Sequence, residues 1–178
     1  TNQGFAPLWY LHGAVLQGVG DKENALRCYD NALVIEPQSQ EVLLNSGALL
    51  RSMFRHKEAL ERFNQVLMLN PNHASALGNC GIMLTEFKQS EQAIAMFRRL
   101  LEVKPDYDYG LGLLYYERMH ICDWDGIPAL REQIISGIRA NQRTTKTFPF
   151  MAICDEPRVL LQAARLFTEH SFPPASHT

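Results

Sequence analysis

An excess of charge of either sign is the first thing this chain lacks. Its 17 basic and 19 acidic residues leave a net charge of -2 and a pI near 6.3. The basic residues Arg98, Arg99, Arg139, Arg143 and Lys146 are scattered rather than gathered into a block. Phosphate backbones need a concentrated basic face, so nucleic acid is not an expected partner. Long apolar runs are missing as well: none approaches the roughly 18 residues that cross a bilayer, so no membrane partner is expected. No signal peptide opens the sequence, and Thr1 stands in what reads as ordered chain, as though cut from a longer protein. The four cysteines, Cys28, Cys80, Cys122 and Cys154, have no CxxC spacing and lie in apolar helical runs. They read as buried, reduced thiols and point to a cytoplasmic setting. His120, Cys122 and Asp123 make a metal-like corner without a second half, so no metal and no cofactor are expected. There is also no Gly-rich phosphate loop, no nucleophile elbow and no HExxH. The acidic pairs Asp106/Asp108 and Asp123/Asp125 read as helix starts. The expectation is a chain with no catalytic residue, not an enzyme by itself.

What is present is periodic. Hydrophobic residues make up 46% of the 178 positions, enough for a sizeable core. Gly13, Gly47 and Gly81 share one spacing with Ala25, Ala59 and Ala93, with Tyr29, Phe63 and Phe97, and with Pro37, Pro71 and Pro105. That spacing is 34 residues, and small, small, aromatic and proline at these offsets resemble the tetratricopeptide repeat, a helical hairpin. The first copy also carries Trp9 in place. Small residues on facing helices permit close backbone approach, and the aromatic is expected to fill the space between neighbouring hairpins. Proline, without an amide donor, ends each copy at Glu36-Pro37, Asn70-Pro71 and Lys104-Pro105. The breaks inside the hairpins, Gly20-Asp21, Phe54-Arg55-His56 and Lys88-Gln89-Ser90, are weaker signals. A single hairpin cannot bury its apolar stripe alone, so the expected fold is all-α, a right-handed α-α superhelix of stacked repeats.

The repeats are placed at 6–39, 40–73 and 74–107, followed by a degenerate fourth hairpin at 108–141. In that fourth copy Tyr115 occupies the glycine column and Ile127 the alanine column. Its first helix is read as Tyr107 to Ile121. The second runs from Ile127 to about Ala140, with Asp123 or Asp125 as N-cap and Pro128 in the first turn. Residues 142–178 read as linker, terminal helix and tail. The threonine-rich stretch from Asn141 to Phe150 is a connection, a helix opened by Asp155-Glu156-Pro157 runs to about His170, and Ser171 to Thr178 is tail.

The repeats, then Ile121-Cys122-Asp123-Trp124, a helix bearing Ile134 and Ile138, Phe148-Pro149-Phe150 and the Pro157-to-His170 helix together resemble the N-terminal arm of O-linked N-acetylglucosamine transferases of the SPINDLY-like, mostly bacterial branch. That resemblance implies an arm that recruits protein or peptide partners along a concave groove. It also implies a separate glycosyltransferase module beyond this chain, so no catalytic or nucleotide-binding residue is carried over. In that family, asparagines two residues before the repeat glycine hold the backbone of an extended peptide through their side-chain amides. Here this column reads Leu11, Asn45, Asn79 and Leu113, so Asn45 and Asn79 match and the ends are apolar.

Around these two asparagines the expected groove lining is Leu44, Ala48, Arg51, Ile82, Thr85, Glu86, Tyr109 and Tyr116. Trp9 and Trp124 are expected in the core, His12 as a packed residue, and Tyr107, Tyr109, Tyr115 and Tyr116 as one aromatic cluster. A free-standing adaptor or scaffold is the alternative reading, with self-association through apolar array ends. A receptor for chaperone tails is weaker, because Arg51 is the only basic residue in the inner columns.

Overall fold

A computed structural model describes residues 5–172, and the expected tail beyond Phe172 lies outside them. Among the described residues all regular structure is helical: α1 Ala6–Gly18, α2 Lys22–Ile35, α3 Gln40–Ser52, α4 His56–Leu69, α5 Ala74–Glu86, α6 Ser90–Val103, α7 Gly110–His120, α8 Ile127–Arg139, α9 Thr147–Phe150 and α10 Pro157–Ser171. Contacts divide the chain into two compact units between Met83 and Leu84, within α5.

In the first unit, α1 pairs with α2 and α3 with α4. The glycine and aromatic columns meet directly. A Cβ on Gly13 would lie 2.7 Å from Tyr29 Cε1, and one on Gly47 would lie 2.6 Å from Phe63 Cε1. The aromatic therefore packs onto the glycine of its own hairpin. Ala25, Ala59, Tyr29 and Phe63 are buried around these contacts, and Tyr29 Oη donates to Gln17 Oε1 at 2.8 Å. Proline acts as its chemistry requires. Glu36, Asn70 and Lys104 end α2, α4 and α6 in extended backbone, and each carbonyl accepts from the amide three residues on, at Ser39, His73 and Tyr107.

The hairpin turns, faint in sequence, carry the sharpest backbone signature. Gly20, Phe54, Lys88 and Cys122 have φ of 88°, 59°, 59° and 55°, one left-handed residue per copy in the repeat register. Only the first is glycine, so three copies hold a side chain where the left-handed region disfavours one. Cys122 is exposed at its turn, unlike the buried Cys28, Cys80 and Cys154, which corrects the expectation of four buried thiols.

In the second unit, α6 packs on α7, and α7 on α8. The core holds Ala93, Phe97, Leu100, Leu114, Leu130, Ile134, Ile138 and Phe150. Helix α7 begins at Gly110 rather than Tyr107, because Tyr109 adopts φ 64° and turns the chain there. Helix α8 starts after Gly126 in a left-handed conformation with no side-chain cap, so neither Asp123 nor Asp125 caps it. Asp123 instead accepts from Arg118 at 2.8 and 3.1 Å, and Arg118 also bonds the Asp125 carbonyl. The arginine holds Asp123 below the usual aspartate range, with its hydrogen bond as the main cause. Trp124, beyond this clasp, is 59% exposed and not core.

The threonine-rich stretch is more than a connection. Thr144 and Thr145 are buried, Gly112 N donates to the Thr144 carbonyl at 2.9 Å, and Thr144 Oγ1 donates to the Ile134 carbonyl at 2.9 Å. Gly112 and Gly137 make room for it, since a Cβ on either would overlap a threonine side chain. Helix α10 then packs on α8 and α9, anchored by Arg139 to Glu156 at 2.6 Å. Glu156 is its N-cap residue but makes no side-chain cap bond, being engaged by Arg139 instead.

Candidate functional site

The first unit holds the candidate surface on its first helices, α1, α3 and the part of α5 up to Met83. Each has a buried stripe set by the glycine column, which leaves the neighbouring helical positions half-buried on the other side. Asn45 sits one turn after Glu41 on α3, and both reach Tyr10 of α1. Tyr10 Oη donates to Glu41 Oε1 at 2.8 Å and accepts from Asn45 Nδ2 at 2.8 Å. Burial, reinforced by the Glu41 carboxylate, pushes the Tyr10 phenol up to about 12. Its ring lies 5.9 Å from that of Tyr29, joining the network to the core.

A second polar pair sits two turns along. Arg51 Nη1 donates to Asn79 Oδ1 at 3.0 Å, while Asn79 Nδ2 donates to the Ser75 carbonyl at 2.8 Å. Asn45 and Asn79 are thus half-buried and already oriented by their own protein, neither freely solvated nor sunk in the core. Leu44, Ala48 and Ile82 are half-buried on the same helices. The wall therefore offers amide and guanidinium groups fixed in place beside small patches of apolar surface. Such groups suit the repeating donors and acceptors of a peptide backbone.

The other residues of the expected column and lining lie on α1 or in the second unit. Leu11 is exposed on α1. Glu86 is exposed at the end of α5 and belongs, with half-buried Thr85, to the second unit. Leu113, Tyr109 and Tyr116 belong to that unit too. Tyr109 is clasped by α10: its Oη is 2.9 Å from His170 Nδ1, and its ring meets Phe167 edge-on at 6.5 Å. Tyr116 is exposed and packs edge-on against His120 at 4.4 Å. Tyr107 lies under Lys104, 6.0 Å from the ammonium. Tyr109 and Tyr116 thus each serve a local contact, one with α10 and one within α7. His12 is exposed overall but packs on one side, stacking at 6.5 Å on half-buried Trp9 with its Nδ1 3.7 Å from Cys28 Sγ. The sequence reading missed the Tyr10–Glu41 partnership. Its available signal was the four-residue spacing of Glu41 and Asn45 on one helix face.

Among the described residues no group of His, Cys, Asp and Glu could hold a metal, and no helix is long and apolar enough to cross a membrane. The fold is a helical repeat of the tetratricopeptide kind. Residues 50–114 match the tetratricopeptide repeat family model. No curated protein matches the sequence. Among solved structures, the MamA protein is 20% identical and superposes with a TM-score of 0.70 over 96% of both chains. The first tetratricopeptide domain of Spaghetti (RPAP3), solved bound to the HSP90 peptide SRMEEVD, is 18% identical, with a TM-score of 0.63 over 66% of this chain and 93% of that one. The Sgt2 domain from Aspergillus fumigatus is 18% identical, with a TM-score of 0.60 over 65% of this chain and 78% of that one. At these identities the likeness is one of fold.

Proposed function

We propose that this chain is a cytoplasmic protein-interaction module, without catalysis of its own, that binds an extended peptide or protein segment against the first-helix wall of α1, α3 and α5. The observation that carries this reading is the preset pair of networks, Tyr10–Asn45–Glu41 and Arg51–Asn79–Ser75. Side chains already held in one geometry lose little entropy on meeting a ligand, which is how a sequence-tolerant surface gains affinity. RPAP3, of similar fold, was solved with a bound peptide, which supports the reading by analogy. The finer assignment is the partner-recruiting arm of a SPINDLY-like O-linked N-acetylglucosamine transferase. It rests on the resemblance of the Ile121-Cys122-Asp123-Trp124 element and the segments that follow it, with Asn45 and Asn79 matching the family's asparagine column. The parent reading frame tests that assignment: continuation into a two-lobed glycosyltransferase supports it, and a stop codon near Thr178 refutes it.

Panning a displayed random dodecapeptide library tests the binding reading. Peptides enriched on the wild-type chain should bind Asn45→Ala/Asn79→Ala at least about tenfold more weakly, as losing two oriented hydrogen-bonding groups implies. Circular dichroism should show unchanged helicity. Equal binding to both proteins, or no enrichment, refutes the reading.

A second reading, an adaptor that associates through α1, has its own observation. Leu8 and Val15 are exposed on α1, whereas their counterparts one repeat later, Val42 and Leu49, are buried in the unit where α2 packs on α3. Light scattering over a dilution series tests it. A mass that rises with concentration and is abolished by Leu8→Glu/Val15→Glu supports self-association, and a constant monomer mass counts against it.

A further inference from the structure

Arg51 differs from the other arginines that are withdrawn from solvent. Arg62 pairs with Asp30 at 2.7 Å, Arg118 with Asp123 at 2.8 Å, Arg143 with Asp108 at 2.6 Å, and Arg131 lies 3.9 Å from Glu132. Arg27, Arg158 and Arg165, which have no such pair, are exposed. Arg51 is half-buried, and its described bond goes to the neutral carbonyl of Asn79. Among the described residues it is the one half-buried guanidinium without a carboxylate.

A guanidinium is charged at every working pH and offers five donors in a planar fork. One donor is spent on Asn79. The bond also fixes the direction of the fork, while Ala48 and Ile82, one turn from Arg51 and Asn79 on their own helices, give the place a small apolar margin. We infer that this position recognises an acidic side chain of the bound peptide, with Arg51 pairing the carboxylate and Asn79 orienting Arg51. The inference rests on the binding reading above and adds a sequence requirement to it: one Asp or Glu at a fixed place in the ligand. A single guanidinium matches one side-chain carboxylate, and the Lys22 ammonium near the end of α3 is turned to the Ser52 carbonyl at 3.2 Å.

The same displayed library separates the two claims. Peptides enriched on the wild type should share an Asp or Glu at one position, and those enriched on Arg51→Gln should not. A synthetic copy of an enriched peptide, acetylated and amidated and followed by fluorescence anisotropy, should bind the wild type at least about tenfold more tightly than its Glu→Gln form. That ratio should fall towards one with Arg51→Gln, be partly restored with Arg51→Lys, and shrink as salt is raised. Melting curves confirm that both variants fold. Enrichment without an acidic position overturns the inference but leaves peptide binding standing. So does a Glu preference that survives Arg51→Gln, or a preference for free C-terminal carboxylates with neutral side chains. No enrichment at all overturns both.

Discussion

Replacing Gly20 with alanine and Lys88 with glycine should move stability in opposite directions, although the two residues occupy the same column of the repeat. Both sit at hairpin turns, with φ of 88° and 59°. Nothing lies within 4 Å of a Cβ built on Gly20, so crowding plays no part and the change is one of backbone preference. Holding a side chain in the left-handed region costs about 1–2 kcal/mol. Alanine recovers about 0.5–1 kcal/mol by restricting the unfolded chain. Gly20→Ala should therefore destabilise by about 0.5–1 kcal/mol. Lys88 is exposed, so its side chain forfeits little packing, and Lys88→Gly should stabilise by a similar amount. Urea unfolding followed by circular dichroism reads both, with the midpoint shifting and the slope unchanged. A shift of the same sign in both variants, or stabilisation by Gly20→Ala, would refute the left-handed column as the source of the hairpin turn.

Two further outcomes follow from buried polar groups. Glu117 is 2% exposed, and its Oε2 has no hydrogen-bond partner among the described residues, while Leu49 and Met83 are buried at the same repeat position. Glu117→Leu should raise stability by about 1–3 kcal/mol, measured as the change in urea midpoint, because it removes a buried polar atom that has no hydrogen-bond partner; destabilisation would mean that the acid is held by favourable contacts. Tyr10 should ionise near pH 12, and Glu41→Gln should lower that value by replacing a negatively charged acceptor with a neutral one. Because folding raises this phenol above its ordinary 10.0, its contribution is complete below pH 10 and disappears as pH climbs to about 12. NMR of ring-labelled tyrosine measures it, and an unaltered titration in Glu41→Gln would show that the Tyr10–Glu41 bond is absent in solution.

The parts of this protein legible in sequence are those where one residue type has one physical use. Proline columns mark the ends of α2, α4 and α6 because no other residue both lacks the amide and fixes its predecessor. The glycine and aromatic columns are visible because their contact tolerates no substitution in volume, though their spacing does not say that ring and glycine belong to the same hairpin. The turns were faint because a left-handed position can be filled by Phe54, Lys88 or Cys122 once helices on both sides hold it. Trp124 and Cys122 were misplaced for a related reason: after the last intact repeat the chain turns around an ion pair, Arg118 with Asp123, and apolar spacing is silent about charges. Thr144 and Thr145 looked like linker because their burial depends on glycines of two other helices, Gly112 of α7 and Gly137 of α8. In the candidate site the asparagine column was visible, but its partners lie 35 and 28 residues away in sequence and only folding brings them together.

If the first-helix wall, and not an end of the chain, is the working surface, a bound peptide must perturb that wall. Amide and side-chain chemical-shift mapping with a selected peptide bound addresses it most directly. The largest changes should fall at Asn45, Arg51, Asn79 and the neighbouring Ala48 and Ile82, with α2 and α4 nearly silent. Changes concentrated on Leu8 and Val15 of α1, or on α10, with these wall residues unmoved, would contradict it.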